Sequence, residues 1–234
     1  MIYPIFFNKD EVTEIRSFGL RGKNRVWEGN SSGVVSGFFN DPEAFAAAAQ
    51  ALDRAGALGV FFVVNPCNPA LLARAVNRLK VPKATTRDVD IICIRWLLFD
   101  LDPRRPSDIS STDEEHQAAI DLGEEVSTWL EEKIGFAKGL HADSANGCHL
   151  LYRLPDLPNN AETHKLIVNA MAAIKAKFDN DKVEIDPAVV NPARLMKIYG
   201  TFGRKGDNVS DRPHRVSGLF PNQPLTLAEV PICL

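Results

Sequence analysis

The chain has 234 residues, of which 45% are hydrophobic and 24% are charged, and its net charge is −3. These values are ordinary for a folded globular protein, and no apolar run is long enough to cross a bilayer, so composition excludes a disordered chain and a membrane-spanning one. The first residues lack a basic segment and a small-residue cleavage site, so no signal peptide is predicted. We expect one large domain, or two small modules that share a core, with no membrane partner.

Cysteine spacing and charge distribution further limit the kinds of site that the protein can contain. The four cysteines form no CxxC pair, which argues against a structural zinc site and predicts a reduced, intracellular protein. Residues 108–132 are rich in acids and contain no Lys or Arg, whereas residues 194–215 carry six basic residues and two acids. A slightly acidic chain can therefore still hold a local phosphate-binding surface, although charge alone is equally explained by two solvated faces.

Four helices are predicted along the chain. The first two, over residues 42–56 and 69–79, each open with a cap residue followed by Pro. The third begins at Thr112, where Glu115 completes a capping box. The fourth covers residues 161–178 and carries an apolar stripe at helical spacing.

Strands are predicted from runs of β-branched and aromatic residues bounded by turn residues. The predicted strands are residues 33–38, 58–64, 91–101, 137–141, 148–154, 195–199 and 215–220. Helices and strands interleave, which predicts a mixed α and β protein. A charge-rich stretch over residues 80–90 predicts a soft boundary between two halves, and residues 221–234 are interpreted as a linker or tail.

The strongest local signal is an apolar run that ends in two acids, Asp100 and Asp102. Strand side chains alternate, so the two carboxylates should lie on the same side. Such a pair suits divalent cations, and two cations about 4 Å apart could clamp the attacking and leaving oxygens of a nucleotidyl transfer. The other interpretation is a solvated strand end before a turn at Pro103, because DxD is a short and common pattern.

A second signal is the small-residue turn Asp143-Ser144-Ala145-Asn146-Gly147, followed by His149 near the start of a strand. Backbone N–H groups of such a turn can approach a phosphate, and His149 can bond a phosphate oxygen. The alternative is that His149 is a structural residue with its hydrogen bonds satisfied.

A third signal begins at Asp186, which could supply a third carboxylate, and continues with basic residues. Arg194 and Lys197 suit a triphosphate beside carboxylate-bound metals. Their odd spacing would place them on opposite sides of a strand unless the strand begins after Arg194. Four later basic residues fall in loop-like sequence and suit the phosphates of a flexible nucleic-acid strand, namely Arg204, Lys205, Arg212 and Arg215. The alternative is that Asp186 only caps a turn and that the basic residues are solvated.

Taken together and in this order, the three segments resemble the three motifs of the archaeo-eukaryotic primase superfamily. Those motifs are an apolar run ending in DxD, a small residue two positions before a His, and an apolar residue followed by Asp. Here they read Phe99-Asp100-Leu101-Asp102, Gly147-Cys148-His149 and Ile185-Asp186. The longer stretches DSANGCHLLYR, EIDPAVVNPARLMKIYGTFGRKG, GVVSGFF and VVNPCNPALLARAVNRL resemble the primase-polymerase branch of plasmids, phages and CRISPR-associated operons, and the resemblance covers roughly residues 12–220.

The resemblance implies an α+β fold in which an N-terminal αβ module (about residues 1–85) packs on an RRM-like catalytic module (about residues 86–220), with the active site in the cleft between them. It implies that two Mg²⁺ or Mn²⁺ ions are bound by Asp100, Asp102 and Asp186. The incoming triphosphate would be held by Ser144, Asn146, His149, Arg194 and Lys197. One departure is Ala145, where relatives often have Gly, and we expect this residue to stiffen the turn.

The implied function is that of a DNA primase-polymerase. It would transfer nucleotides from (d)NTPs onto a 3′-hydroxyl along a single-stranded DNA template, including primer synthesis. The implied partners are template, primer and (d)NTPs, with a helicase or another replication or CRISPR-associated domain in cis or in trans. The implied location is the cytoplasm of a prokaryote, in a plasmid or phage context.

Three alternatives belong to other classes. A non-catalytic replication-initiator module could use the same fold to bind single-stranded DNA, although a binder needs no metal cradle. A rolling-circle nickase needs a His-x-His pair and a Tyr nucleophile, and the five histidines contain no such pair. A nucleotide cyclase also uses strand carboxylates and two metals, and only the basic segment after Arg194 disfavours it.

Overall fold

The computed structural model describes residues 2–233. Its α-helices are α1 (Tyr3–Phe6), α2 (Pro42–Arg54), α3 (Asp113–Trp129) and α4 (Ala161–Phe178). Its strands are β1 (Thr13–Asn24), β2 (Trp27–Phe39), β3 (Gly59–Val63), β4 (Cys93–Pro103), β5 (Leu140–Asp143), β6 (Cys148–Pro158), β7 (Val183–Ile185), β8 (Leu195–Lys197), β9 (Phe202–Gly203), β10 (Arg215–Val216) and β11 (Gly218–Leu219). The chain is thus a mixed α and β protein with antiparallel sheets, as the sequence predicts.

The first sheet has four strands in the order β2-β1-β3-β8. β1 and β2 form a long hairpin, and β3 pairs with β1 through residues 15–18. α2 covers one face with Phe45, Ala49 and Leu52, all buried. β8 comes from the second half of the chain and completes this sheet beside β3. The boundary predicted near residue 85 therefore divides the sequence but does not divide this sheet.

The second sheet has five strands in the order β11-β5-β6-β4-β7, and all its neighbours are antiparallel. α3 packs against β4 and β6, and α4 packs against β7. α3 approaches β6 closely at Gly123, where a Cβ would lie 2.6 Å from the sulfur of Cys148. This sheet carries the two acids of the DxD pattern at the end of β4 and His149 near the start of β6.

Both ends of the described chain are tied to the second sheet. Arg95 on β4 is 1% exposed, and its guanidinium donates to the carboxylates of Glu11 and Asp156 at 2.6–2.9 Å. Such a buried charge is tolerated only when it is fully paired. At the other end, Arg153 donates to the carbonyl of Leu227 at 2.7 Å, and Leu227, Val230 and Cys233 are buried. Within residues 221–233, which the sequence suggested to be a linker or tail, the part from Leu227 onward therefore packs onto the fold through these buried side chains, whereas residues 221–226 are exposed or half-buried.

Helix predictions succeed where the local signal is strong. α4 has the predicted bounds, and α3 follows Thr112 with both hydrogen bonds of the capping box formed. The predicted helix over residues 69–79 is wrong, because only a 3₁₀ turn forms at Pro69–Arg74. The following backbone bonds to β2 instead of continuing a helix: Phe38 N–H donates to the Ala75 carbonyl, and Ser36 and Lys80 exchange two hydrogen bonds.

Strand predictions miss three elements, β1, β7 and the two-residue β9, and join two others. β1 was not predicted, because Gly19 and Gly22 interrupt its alternation at register shifts. β7 has only three residues, too few for a sequence pattern. The predicted strand over residues 215–220 is split into β10 and β11, which pair in different sheets. Within residues 2–233, no helix combines the length and apolar character that crossing a membrane requires.

Candidate active site

Asp100 and Asp102 lie on one face of β4, separated by the fully buried Leu101. The register of β4 and β6 places Asp100 directly opposite His149. His149 Nε2 lies 3.4 Å from Asp100 Oδ1. The same-side arrangement predicted from alternation is therefore present, and strand pairing brings the histidine of the second motif to the first acid.

The two carboxylates have pKa values that are driven in opposite directions. Burial alone would raise the pKa of Asp100, but the adjacent His149, together with Lys205 and Arg194, lowers it below its ordinary value. Burial and the negative charge of Asp100 raise the pKa of Asp102. Two acids that repel each other in a partly buried site are stabilised by an added cation.

His149 is held from both sides of its ring. Its Nδ1 lies 2.9 Å from the hydroxyl of Tyr199, and the histidine is 5% exposed. Burial raises the pKa of Tyr199 well above its ordinary value, so the hydroxyl keeps its proton and can donate to Nδ1. Nε2 is the nitrogen that faces Asp100.

The turn between β5 and β6 is fixed by its own side chains. The Asp143 carboxylate accepts the Ala145 N–H at 2.6 Å and lies 3.0 Å from His116 Nε2. Ser144 Oγ accepts the Gly147 N–H at 3.0 Å. Gly147 is required here, because a Cβ would lie 2.2 Å from the carbonyl oxygen of Leu101. The turn is thereby pressed against the strand that carries the acids.

Ala145 occupies a left-handed conformation in this turn, with φ at 82°. A residue with a Cβ pays roughly 1–2 kcal/mol for that conformation, whereas glycine does not. The Ala145 methyl is fully buried, and a Cβ on Gly203 would lie only 2.8 Å from it. The methyl group thus fills the space beside Gly203, and the stiffening of the turn stays a prediction.

Asn146 links this turn to the start of α3. Its Oδ1 accepts the N–H of Ser111 at 3.0 Å. Arg215 donates to the Ser111 carbonyl at 2.8 Å and pairs with Asp113. Arg215, predicted to bind nucleic acid, therefore contacts Ser111, the residue that bonds Asn146 of the turn.

The opposite wall of the cavity belongs to the first sheet and is mainly apolar. Phe18, Leu58 and Phe61 line it, and Leu58 is 53% exposed. Lys197 lies among them, 4% exposed, with its Nζ 5.3 Å from the centre of the Phe61 ring and bonded to the carbonyl of Phe202. Burial lowers the pKa of Lys197 to about 7.

Arg204 and Lys205 follow β9 and have different neighbours. Arg204 donates to the Asp53 carboxylate at 2.7 Å and to the Ala57 carbonyl at 2.8 Å, which ties this segment to α2 and to the turn before β3. Lys205 reaches the second sheet, where its Nζ lies 3.7 Å from Asp102 Oδ2. The segment therefore connects the two walls of the cavity. Lys205 lies beside Asp102, whereas the sequence suggested that it contacts nucleic acid.

One cavity of about 680 Å³ collects most of the predicted site residues. The predicted residues that line it are Asp100, Asp102, Ser144, Asn146, His149, Lys197, Arg204 and Lys205. The remaining predicted residues, Asp186, Arg194, Arg212 and Arg215, are not among its lining residues. Arg212 forms a two-pronged ion pair with Glu115 at 2.8 and 3.0 Å, against α3.

Asp186 is next to the two acids in the backbone, but its carboxylate is directed elsewhere. Its N–H donates to the Asp100 carbonyl at 2.9 Å. Its carboxylate accepts the Ala188 N–H at 2.8 Å and caps the 3₁₀ turn Pro187–Val190. Within residues 2–233, no three His, Cys, Asp or Glu side chains are grouped as ligands of one metal ion. The role of Asp186 as a metal ligand stays a prediction.

Arg194 lies just before β8 and does not line the cavity that Lys197 lines. It bonds the Ala188 carbonyl and borders a separate small cavity of about 20 Å³. Because β8 begins after Arg194, strand alternation does not fix the side on which Arg194 lies. A phosphate contact by Arg194 stays a prediction that needs a different side-chain position.

Several residues of the site were not predicted from the sequence. The aromatic wall, Asp53 and His116 carry no motif, and their roles depend on pairing across more than twenty positions of chain. Tyr199 falls inside a stretch that matched the family, but nothing in the sequence indicated that it bonds His149.

No protein-family model matches the chain, and no curated protein sequence matches it. Among solved structures, it is similar to the AEP domain of the cyanophage S-2L primase-polymerase, with 11% identity and a TM-score of 0.49, over 91% of this chain and 82% of that chain. It is similar to the primase RepB′, with 11% identity and a TM-score of 0.43, over 90% of this chain and 51% of that chain. It is also similar to the polymerase domain of Mycobacterium tuberculosis ligase D, solved in complex with DNA, with 13% identity and a TM-score of 0.45, over 88% and 73% of the two chains.

Proposed function

We propose that this chain is a metal-dependent nucleotidyltransferase of the primase-polymerase kind, which extends a 3′-hydroxyl with nucleotides from (d)NTPs on a single-stranded DNA template. The observation that carries the proposal is the composition of one cavity. Two same-face carboxylates, Asp100 and Asp102, meet His149, a small-residue turn and two lysines there. Carboxylates that can hold cations, next to groups that can hold phosphates, are what this reaction needs.

The donor set fits Mg²⁺ or Mn²⁺. Both ions prefer oxygen ligands, and the mutual repulsion of Asp100 and Asp102 favours a cation between them. Asp100 and Asp102 would hold two ions, and Asp186, directly after the neighbouring strand β7, would join them once its carboxylate leaves the Ala188 N–H. When bound, the ions supply positive charge to the attacking and leaving oxygens of the transfer.

The protein's own groups would bind and orient the triphosphate. His149 presents Nε2 to the cavity, and its orientation is set by Tyr199. Ser144 and Asn146 belong to a turn whose backbone can approach phosphate oxygens. Lys197 adds a cationic contact from the opposite wall and Lys205 adds one beside Asp102. The apolar side chains beside Lys197 suit the flat face of a base. Arg194 would require a different side-chain position to contribute.

We infer an RRM-like arrangement for the second sheet. The order β4-α3-β5-β6-α4-β7, with neighbours β5-β6-β4-β7, supports this because it matches the βαββαβ pattern of ferredoxin-like folds. The cavity would then be the cleft between that module and the first sheet. Primer synthesis and a helicase or other domain acting in cis or in trans belong to the same proposal.

The test is incubation of the protein with single-stranded DNA, labelled nucleotides and Mn²⁺, with and without an annealed primer. We expect primer extension that EDTA abolishes, and new short products without primer if synthesis also starts chains. Binding of DNA without incorporation under either metal would favour the non-catalytic replication-initiator module instead.

A further inference from the structure

The β1–β2 hairpin extends beyond the rest of its sheet. β3 pairs with β1 only as far as Phe18, opposite Gly59, and both residues line the cavity. Past Phe18, β1 continues to Asn24 with β2 as its partner. At 3.3 Å per residue, the five steps from Phe18 to Lys23 reach roughly 16 Å from the cavity rim.

The end of this hairpin carries three cations, Arg21, Lys23 and Arg25, all of them exposed. Residues 15–27 contain no Asp or Glu. Over the part of the chain that the structure describes, none of the three lies within 4.0 Å of a carboxylate. Their charges are therefore available to a partner.

The basic residues predicted to bind nucleic acid differ in this respect. Arg204, Arg212 and Arg215 are paired with Asp53, Glu115 and Asp113, at 2.5–2.8 Å. A phosphate would have to compete with a carboxylate at each of those sites. It would meet no such competitor at the hairpin.

We propose that the β1–β2 hairpin binds the sugar-phosphate backbone of the single-stranded nucleic acid that enters or leaves the cavity. This inference rests on the proposed function for the presence of a polymeric substrate. The unpaired cations Arg21, Lys23 and Arg25, on a hairpin that extends from the cavity rim, match a polyanion with regularly spaced charges. With stacked nucleotides about 3.4 Å apart along one strand, the hairpin's length spans about four or five of them.

The test compares two triple variants of the full chain. One is Arg21→Ala, Lys23→Ala and Arg25→Ala, and the control is Lys9→Ala, Lys138→Ala and Lys165→Ala. The control lysines are exposed and, within residues 2–233, have no carboxylate within 4.0 Å, so both variants change the net charge equally. Binding of a labelled oligothymidylate is measured at several salt concentrations, with thermal melting as the check on folding and primer extension measured in parallel.

We expect the hairpin variant to flatten the plot of log affinity against log salt by about 2, since each phosphate contact on a single strand contributes about 0.7. The control should keep the wild-type slope, and Arg21→Lys with Arg25→Lys should keep it too. If the wild type extends primers but the hairpin variant has the control's slope, the hairpin surface is refuted and the proposed function stands. If the wild type incorporates no nucleotide but the hairpin variant still loses slope, the surface stands and the proposed catalysis fails.

Discussion

The cavity has two walls, and they carry different kinds of side chain. The wall from the five-stranded sheet presents Asp100, Asp102 and His149, whose positions follow from strand alternation and register. The wall from the four-stranded sheet presents aromatic rings and one buried lysine, Lys197. The first wall has the groups that can act on reacting atoms, whereas the second can bind and orient. Variants of the first should therefore change the rate, and variants of the second should change affinity or stability.

The largest effect is expected for Asp102→Asn, which removes one of the two carboxylates proposed to bind metal but keeps the side-chain shape. Nucleotide incorporation should fall about 1,000-fold or more. The melting temperature should stay equal or rise, because the repulsion that raises the pKa of Asp102 is relieved. The measurements are primer extension and thermal melting on one preparation.

The matched control is Glu184→Gln, at the position opposite Asp102 on β7. Glu184 pairs with Arg104 and Lys175 and does not line the main cavity, so its variant should keep incorporation within a few-fold. Equal losses of incorporation in both variants would mean that any acid at this end of the sheet affects the reaction and that Asp100 and Asp102 have no distinct role.

The second effect concerns Asp186, whose carboxylate caps a turn. Asp186→Asn keeps an oxygen that accepts the Ala188 N–H but cannot supply a charged ligand. If Asp186 binds metal, Asn and Ala variants should both lose about 100-fold or more of incorporation. If the carboxylate only caps the turn, Asp186→Asn should be nearly as active as the wild type while Asp186→Ala is less stable by about 1 kcal/mol. Primer extension and urea unfolding of the two variants distinguish these outcomes.

The third effect is a pH dependence from the second wall. The pKa of Lys197 is lowered to about 7, and the charged groups that act on it are Asp53, Arg204 and Lys205. Above that pH, Lys197 loses its proton and its attraction for a triphosphate, so the apparent KM for nucleotide should rise several-fold between about pH 6.5 and pH 8.5. Lys197→Arg, which stays charged, should flatten this rise, and Lys197→Met should have a high KM throughout.

The same lysine affects stability with a defined sign. Between about pH 7 and its ordinary pKa, the unfolded chain holds a proton on Lys197 that the folded chain has released. Lys197 therefore makes the free energy of unfolding increase as the pH rises through this window. Lys197→Met should remove that increase. If Lys197→Met lowers the rate of incorporation without changing the KM for nucleotide, Lys197 acts with the reacting groups, and the proposed difference between the two walls is wrong.

The smallest effect is expected for Arg204→Met, which breaks the contact with Asp53. The free energy of unfolding should fall by about 1–2 kcal/mol, because a partly buried carboxylate loses its partner. The salt dependence of DNA binding should not change. A flatter salt plot for this variant would support the nucleic-acid role predicted from the sequence for Arg204.

Local patterns in the sequence predicted the parts of the site that depend on near neighbours. Asp100 and Asp102 share a face because strands alternate, and the turn before His149 has the residues that such turns require. α4 has its predicted bounds because its cap and its apolar stripe agree. In each case the determining contacts lie within a few positions of chain.

The sequence could not predict contacts that join distant positions. Arg204 pairs with Asp53 and Arg215 with Asp113, each across more than a hundred residues. The basic residues counted within residues 194–215 therefore overstate how many positive charges are free to bind phosphate. The burial of Lys197 depends on β8 joining a sheet built by the other half of the chain. The direction of the Asp186 carboxylate depends on the 3₁₀ turn that follows it, a choice that the Asp-Pro pair leaves open.

The position of β8 has a practical consequence for anyone who divides this protein. A fragment that ends near residue 85 would contain β1, β2 and β3 but would lack Leu195–Lys197, the strand that covers the outer side of β3. The uncovered N–H and C=O groups of an apolar strand recruit other chains by edge-to-edge pairing. Such a fragment should therefore aggregate when produced alone, and adding the second half during refolding should restore its solubility.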